Sequence, residues 1–297
     1  MKIENPADLL VLVQTARGGT LSAAARALGI TPAAASATLK RLEAQLGTRL
    51  FERSTRAMRL TPPGQVLLDY ATRAFELLDE AESQVAADRG TLVGSLRVAA
   101  PSDLARTVLL PLFDAFMATH PGLRLQLSVA DRVLDVTRDE VDVAIRYGAL
   151  ADSRLVARQL AVAHPVCSAS PDYVSRHGAP RTPQDLAQHN CITFDRGGRR
   201  HRAWRFCRDG QWTEVRVDGD RSVDDASLAR EWAIAGCGVI LKSEIDQRRD
   251  LASGALVPLL TEWRTEPYPL HALLPSGRFV PNRVRALVDF LVERFAT

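Results

Sequence analysis

The sequence predicts an α plus α/β protein in three parts: a small helical head, a long helix and a larger body of two α/β lobes. Three patterns favour this architecture. Caps and glycines separate short amphipathic segments in the first sixty residues. A heptad repeat of apolar residues follows, and after it strand-like and helix-like segments alternate. The expected boundaries are 1–60 for the head, 61–90 for the long helix and 91–297 for the body.

The head is expected to contain three helices followed by a short hairpin. Thr and Asn side chains cap helix N-termini, proline is favoured in the first turn, and glycine ends helices. The starts and stops predicted in this way are Asn5-Pro6, Gly18-Gly19, Thr20, Gly29, Thr31-Pro32 and Gly47. A three-residue turn with glycine would then join the second and third helices, a geometry that sets the third helix in the major groove of double-stranded DNA.

The charge distribution indicates a polyanionic partner for the head alone. Residues 1–60 carry nine Lys or Arg and four Asp or Glu, which leaves a net charge of −2 for the rest of a chain whose total is +3. A merely solvated basic face is the alternative. Residues 49–61 alternate apolar and basic side chains, as in a hairpin, or wing, beside the groove. The candidate DNA contacts are Thr31, Ala33, Ser36, Ala37, Lys40, Arg41, Arg53 and Arg56.

The long helix carries a predicted dimerisation seam. The seam residues, spaced alternately four and three apart, are Leu67, Ala71, Ala74, Leu78, Ala81 and Val85. Three heptads exceed what a small head needs for its own core, so a coiled coil between two chains is the favoured interpretation. The alternative is that one face of this helix packs on its own domain.

The body is expected to form two α/β lobes with a largely parallel sheet in the first. Alternating apolar residues predict strands around residues 96–100, 123–129 and 141–146, with a short helix near residues 134–139. Lobe 1 is expected to span about 91–164 plus 267–297, and lobe 2 about 165–266. Two crossings between the lobes would leave a cleft between them, where helix N-termini can bind a small anion.

Nine sequence runs and Ser36 match the LysR-type transcriptional regulators in order and spacing. The runs are LSAAA (21–25), RLE (41–43), LGTRLFER (46–53), LTPPG (60–64), VDVAIRYG (141–148), ASPDYV (169–174), TPQDL (182–186), GCG (236–238) and LASGALV (251–257). The chain therefore resembles this family over nearly its whole length. The resemblance implies a winged helix-turn-helix, a linker helix and an effector domain similar to periplasmic solute-binding proteins. It also implies homodimers that pair into tetramers, with DNA, a small-molecule effector and RNA polymerase as partners.

One departure from the family concerns the third helix. Many members carry large polar residues early in this helix, whereas this chain has Pro32, three consecutive alanines and Ala37. Few long side chains remain to bond base edges. We expect base reading to depend on thymine methyl contacts, on Ser36 and Lys40, and on DNA shape.

The effector is expected between the two lobes. Ser102 follows a strand and opens a helix, which suits a carboxylate, and Arg146 could balance its charge. The resemblance adds further candidate contacts, namely Asp131, Thr193, Phe194, Val223 and Asp224. The alternatives are that Ser102 only caps its helix, that Arg146 pairs with Asp142 or Asp131, and that Phe194 belongs to the core.

Several function classes lack their sequence signatures. The chain shows no nucleophile elbow, zinc-protease, P-loop or dinucleotide-binding motif, so neither an enzyme nor a bound cofactor is expected. No signal peptide and no apolar run of membrane-spanning length is present, which predicts a cytoplasmic protein without a membrane partner. The four cysteines are expected to be free thiols without a metal. A redox regulator that pairs Cys191 with Cys207 is the alternative function.

Overall fold

The computed structural model describes residues 3–53, 58–87, 91–131, 141–148, 155–196, 199–275 and 280–296. The chain divides into two compact units, Met1–Gln84 and Val85–Thr297. Most of the long helix thus groups with the head.

The first unit contains three helices, a hairpin and the long helix. Its elements are α1 (Asp8–Gly18), α2 (Leu21–Leu28), α3 (Pro32–Leu46), β1 (Phe51–Arg53), β2 (Met58–Leu60) and α4 (Pro62–Ala87). Thr20 and Thr31 cap α2 and α3 as predicted, because each hydroxyl accepts a backbone N–H three residues ahead at 3.1 Å. Gly19, Gly29 and Gly47 follow the helices with φ of 67°, 65° and 70°, a left-handed conformation that ends a helix and favours glycine.

The predicted cap of α1 is wrong. This helix begins at Asp8, and Ala7 occupies the N-cap position without a side-chain hydrogen bond. The Asn5 side chain instead accepts the Ala7 N–H at 3.1 Å, and the Asn5 carbonyl accepts the Asp8 N–H at 3.0 Å. Asn5 therefore closes a turn just before the helix, a local bond that asparagine readily makes.

The core of the head combines α1, α3, the hairpin and the first half of α4. Leu12, Leu39 and Leu42 are completely buried. Ala71 of α4 lies in the same cluster, and Leu67 packs against it. The first two positions of the expected dimer seam are therefore corrected: they pack on the chain's own head, because the apolar face of this part of α4 covers the α1–α3 core.

The second unit consists of two lobes. Lobe 1 begins with β3 (Gly94–Ala100), α5 (Ser102–Leu104), α6 (Leu110–Thr119), β4 (Leu123–Val129), β5 (Val143–Tyr147) and β6 (Leu155–Ala163). Lobe 2 comprises β7 (Pro165–Ala169), α7 (Pro171–His177), β8 (Thr193–Arg196), β9 (Arg199–Arg200), β10 (Ala203–Arg208), β11 (Gln211–Arg216), β12 (Ser222–Val223), α8 (Ala226–Ile234), β13 (Ile240–Ser243), α9 (Glu244–Ser253), β14 (Val257–Leu259) and β15 (Arg264–Thr265). The chain returns to lobe 1 with β16 (Tyr268–Pro275) and α10 (Asn282–Ala296).

The sheet of lobe 1 has the strand order β4-β3-β5-β16-β6. β3 runs parallel to β4 and β5, as predicted. β16 is antiparallel to both of its neighbours, so the expectation of a largely parallel sheet needs correction on this side. Its direction follows from the return of the chain out of lobe 2. The predicted helix near residues 134–139 lies outside the described residues.

Lobe 2 holds three small sheets in its described residues, with the orders β11-β10-β15, β12-β8-β9 and β13-β7-β14. β10 and β11 form an antiparallel hairpin. Helix α9 was missed, because its sequence is mostly polar, although Ser243 gives a cap signal by accepting the Ile245 N–H at 3.1 Å. Ile245 packs in the core of lobe 1, while Gln247 accepts the hydroxyl of Ser168 on β7. Helix α9 thereby joins the two lobes.

A buried carboxyl group sits at this junction. Asp246 of α9 is 5% exposed and accepts the hydroxyl of Tyr147 at 2.8 Å. Burial, with added repulsion from Asp103 and Asp131, raises the pKa of Asp246 to about 7, although nearby Lys242 and the Tyr147 hydrogen bond act in the opposite direction. The folded protein therefore holds this proton at a pH where the unfolded chain has released it.

We predict that Asp246→Asn removes a pH-dependent loss of stability. Since the folded pKa is raised, the wild type loses stability as the pH rises from about 4 to about 7, and the loss stays constant above that. Between pH 5 and pH 8, the variant should gain about 1–3 kcal/mol relative to the wild type, measured by urea unfolding. Asp289→Asn, at an exposed site on α10, is the control and should follow the wild type. Parallel curves for Asp246→Asn and the wild type would refute the assignment.

Candidate nucleic-acid interface and ligand cleft

The N-terminal half of α3 presents small apolar side chains to solvent. Ala33, Ala34 and Ala37 are exposed, whereas Ala35 is buried in the core of the head. Ser36 is half-buried. Lys40, one turn farther along, is exposed, so this face combines a surface of methyl groups with one flexible cation.

Arg41 of α3 is held by an acid on the first helix. Its Nε donates to Asp8 Oδ2 at 2.9 Å, and its Nη2 donates to Asp8 Oδ1 at 2.7 Å. Asp8 is 4% exposed, whereas the guanidinium side chain remains half-exposed. Bidentate pairs of this kind fix orientation as well as charge. The pair therefore links α1 to α3, and Arg41 contributes to positioning α3.

Glu43 positions the start of the wing. Its Oε1 accepts the backbone N–H groups of Leu50 at 2.9 Å and Phe51 at 3.4 Å. Thr61 completes the hairpin by donating its hydroxyl to the Arg49 carbonyl at 2.7 Å. Sequence reasoning assigned Glu43 to the matched RLE run but gave it no role. Its position near the end of α3, seven and eight residues before the two N–H groups it accepts, is only a weak sequence signal for this role.

Of the two predicted wing contacts, Arg53 and Arg56, the structure describes only the backbone position of Arg53. β1 ends at Arg53, which pairs with Met58 of β2 in an antiparallel register. Arg56 lies outside the described residues. The Thr31 hydroxyl caps α3 by accepting the Ala34 N–H.

The two lobes meet where Ser102 and Asp131 contact each other. The Ser102 N–H donates to Asp131 Oδ1 at 2.9 Å, and its hydroxyl donates to Asp131 Oδ2. The same Oδ2 accepts the N–H of Ala226, the first residue of α8 in lobe 2, at 2.8 Å. Ser102 in turn accepts the Ser227 N–H at 3.2 Å. Two predicted effector contacts are thus brought together, bonded to one another and to lobe 2.

A buried ion network lies next to this contact. Asp103, 1% exposed, binds Arg230 Nε at 2.8 Å and pairs with Lys242 Nζ at 2.5 Å. Arg230 also bonds Asp250 at 2.9 Å. These acids outweigh the effect of burial and raise the pKa of Arg230 above its ordinary value. Because Asp103 belongs to lobe 1 and its partners to lobe 2, the network joins the lobes; sequence reasoning missed it.

The remaining candidates in lobe 2 form one short stretch of sheet. β8 and β12 run parallel, with Thr193 beside Ser222 and Phe194 beside Val223. Thr193 is buried, whereas Phe194 and Val223 are half-buried. Asp224 follows β12 and is exposed.

Asp225 is the cap of α8, a role that sequence reasoning did not assign. Its Oδ1 accepts the N–H groups of Ser227 at 2.8 Å and Leu228 at 3.2 Å, and it accepts the Ser227 hydroxyl at 2.7 Å. These hydrogen bonds help to lower the pKa of Asp225, although burial acts against them. An Asp immediately before a helix that begins with alanine is the sequence signal that could have identified this cap.

Arg146 lies on β5 of lobe 1. Its Nη1 donates to the Ala130 carbonyl at 3.0 Å, next to Asp131. Asp142, one of its expected partners, binds Arg97 through both the backbone N–H at 2.7 Å and the guanidinium at 3.1 Å. The structure therefore places the Arg146 side chain at the end of β4.

The thiols offer little support for redox chemistry. Cys191 is completely buried, and burial raises its pKa to about 12, so that its reactive thiolate is scarcely populated near neutral pH. Cys207 is half-buried on β10, opposite Trp212 of β11.

Within the described ranges, no cluster of three or more His, Cys, Asp or Glu side chains is arranged to hold a metal ion. The same residues include no helix with the length and apolar character needed to span a bilayer.

Comparison with known families covers both units. Residues 6–65 match the bacterial regulatory helix-turn-helix protein of the lysR family, and residues 89–296 match the LysR substrate binding domain. The chain is similar to the HTH-type transcriptional regulator CrgA of Neisseria meningitidis serogroup C, with 32% identity over 97% of this chain and 96% of CrgA. It is 29% identical to the HTH-type transcriptional regulator DmlR of Escherichia coli over 97% and 94% of the two chains.

Solved structures agree with these sequence matches. The structure of CrgA from Neisseria meningitidis is similar with a TM-score of 0.65 and 31% identity, and the similarity covers 99% of this chain and 100% of CrgA. The full-length structure of AphB from Vibrio cholerae gives a TM-score of 0.62 and 25% identity over 97% and 99%. With both domains matched in order, the chain belongs to the LysR family of bacterial transcriptional regulators.

Proposed function

We propose that the head binds operator DNA in a sequence-specific manner through α3 and the wing, under the control of a small organic anion bound between the lobes. The supporting observation is the exposed face of α3, whose C-terminal half is fixed by two acids: Asp8 binds Arg41, and Glu43 binds the start of the wing. Helix α3 and the wing are thereby arranged to approach DNA as one surface. As a LysR-type regulator, the chain acts on transcription and not as a catalyst, and we place it in the cytoplasm.

Affinity and specificity would come from different groups. The proposed contacts to phosphates are the cap at Thr31 together with Lys40, Arg41, Arg53 and Arg56. Arg41 already bonds Asp8, so it would reach DNA only through its half-exposed edge. Ala33, Ala37 and Ser36 would face the bases, where methyl groups suit thymine and the serine hydroxyl suits either donors or acceptors.

We predict that Lys40→Ala weakens binding to specific and unrelated DNA by similar factors. Loss of one phosphate contact should lower the slope of log K against log salt by about one unit, measured by fluorescence anisotropy at several salt concentrations. Arg248→Ala, which removes an exposed cation in the second unit, is the control and should bind as the wild type does. An unchanged slope for Lys40→Ala would exclude the phosphate contact.

The cleft between the lobes is the proposed effector site. The candidate contacts are Ser102, Asp131, Arg146, Thr193, Phe194, Val223 and Asp224. They come from the ends of β3, β4 and β5 in lobe 1 and from β8 and β12 in lobe 2. An effector that contacts both sets would favour one arrangement of the lobes, which is the requirement for control of DNA binding from a distance.

We predict that a double variant, Ser102→Ala with Thr193→Ala, loses the response to effector but retains operator binding. A panel of small organic acids first identifies compounds that raise the Tm of the wild type. The same compounds should leave the Tm of the double variant unchanged, while gel-shift affinity for DNA without effector stays within about twofold. A preserved thermal response would exclude these two residues from the site.

Helix α4 offers an exposed apolar stripe for dimerisation. Its members, spaced four, four, three and four residues apart, are Val66, Tyr70, Ala74, Leu77 and Ala81. Leu78 is exposed beside it, and the side chain of Val85 lies outside the described residues. The proposed seam thus keeps the predicted Ala74, Leu78 and Ala81 but turns away from the face that covers the head. The two heads of a dimer could then bind two half-sites of the operator. We further propose that dimers pair into tetramers and that the regulator contacts RNA polymerase.

We predict that Leu77→Glu breaks the dimer. A charge at an apolar seam must be desolvated on association, so the apparent dissociation constant should rise by at least tenfold, measured by analytical ultracentrifugation. Gln65→Glu introduces the same side chain at an exposed position away from the stripe and should leave the dimer intact. Equal dissociation constants for the two variants would rule out this seam.

A further inference from the structure

The donors best suited to hold an anionic effector are already bonded to a carboxylate of the chain. Asp131 accepts the Ser102 N–H at 2.9 Å and the Ala226 N–H at 2.8 Å, together with the Ser102 hydroxyl. Ser102 is 3% exposed, and its oxygen also accepts the Ser227 N–H at 3.2 Å. These donors are therefore arranged to bind a carboxylate, and the carboxylate that they bind is the side chain of Asp131.

The remaining donors at this end of α8 are also satisfied. Asp225 accepts the next two backbone N–H groups, those of Ser227 and Leu228. An incoming carboxylate would have to compete with a group that is covalently attached and so has a high effective concentration.

We infer that Asp131 is an internal ligand of the cleft, and that an effector carboxylate binds the Ser102 and Ala226 donors only in exchange for the Asp131 side chain. This inference rests on the proposed effector site and names how that site is regulated. One carboxylate replaces another, so the exchange gains no hydrogen bonds at these donors. Net affinity must come from the rest of the effector, which would exclude the simplest acids and select larger ones.

The exchange would also change how the lobes are joined. Asp131 stands just after β4 of lobe 1, and Ala226 begins α8 of lobe 2, so their bond is a tether between lobes. Replacement of Asp131 by a free ligand removes this tether, while the Asp103 pairs with Arg230 and Lys242 remain. The liganded and unliganded states would thus differ in which carboxylate bonds the Ser102 and Ala226 donors, and this is a defined difference of the kind that population shift requires.

Chemical rescue by acetate tests the exchange. Asp131→Ala removes the internal carboxylate and leaves its donors unsatisfied, so acetate should bind and stabilise the full-length variant. We expect a saturable rise in Tm of about 2–4 °C in sodium acetate over sodium chloride at equal ionic strength. The wild type should show no such difference. Asp114→Ala, which removes an exposed carboxylate from α6, is the matched control and should behave as the wild type does.

A second change locates the rescue. Adding Ser102→Ala to Asp131→Ala removes one donor and should abolish the acetate response. The inference is overturned if Asp131→Ala shows no acetate-specific stabilisation, if the wild type and Asp114→Ala respond equally, or if the double variant responds as strongly. If Asp131→Ala is unfolded in chloride, recovery of folded protein on refolding in acetate supports the inference, and failure in both salts overturns it.

The result can be separated from the proposed effector control. Acetate rescue requires no knowledge of the effector and no DNA. If rescue succeeds but no organic acid alters DNA binding by the wild type, the internal ligand stands and the effector proposal fails. If organic acids alter DNA binding but rescue fails, the effector site stands without the exchange.

Discussion

The arrangement of the second unit depends on the charge of Asp103. This carboxylate is almost fully removed from water, a state that is costly for an unpaired charge. Arg230 and Lys242 of lobe 2 supply the compensating charges, so the cost is offset only while the lobes stay together. Ser102 directly precedes Asp103, and α8 carries Arg230. The ion network therefore also helps to hold the Ser102 and Ala226 donors next to each other where the lobes meet.

Local sequence signals correctly predicted those parts of the fold that depend on a single residue, such as the ends of helices. Thr20, Thr31 and the glycines after α1, α2 and α3 act through their own backbone or capping hydroxyl, and the helices end where those residues predict. Asn5 failed as a cap because several turn geometries compete for the same side chain within three residues. The direction of β16 and the existence of α9 depend on contacts with distant strands, about which local periodicity carries little information.

The candidate sites divide in the same way. The exposed face of α3 follows from helical spacing, so Ala33, Ala37 and Lys40 were identified correctly as lying outside the core. Asp131 bonds Ser102, which is 29 residues away in the chain, and Ala226, which is 95 residues away. Residue spacing therefore could not predict these bonds. The heptad in α4 shows the same limitation: a repeat identifies apolar positions, but Leu67 and Ala71 are needed by a core that the repeat itself does not reveal.

The methyl surface of α3 also has a thermodynamic consequence. If a head reads bases mainly through hydrogen bonds, enthalpy supplies most of its binding free energy. Exposed alanines instead remove apolar area from water when they meet a groove, and that removal carries a negative change in heat capacity. If these alanines meet the groove as proposed, the preference of this head for its target should weaken in the cold, because burial of apolar area stabilises less at low temperature.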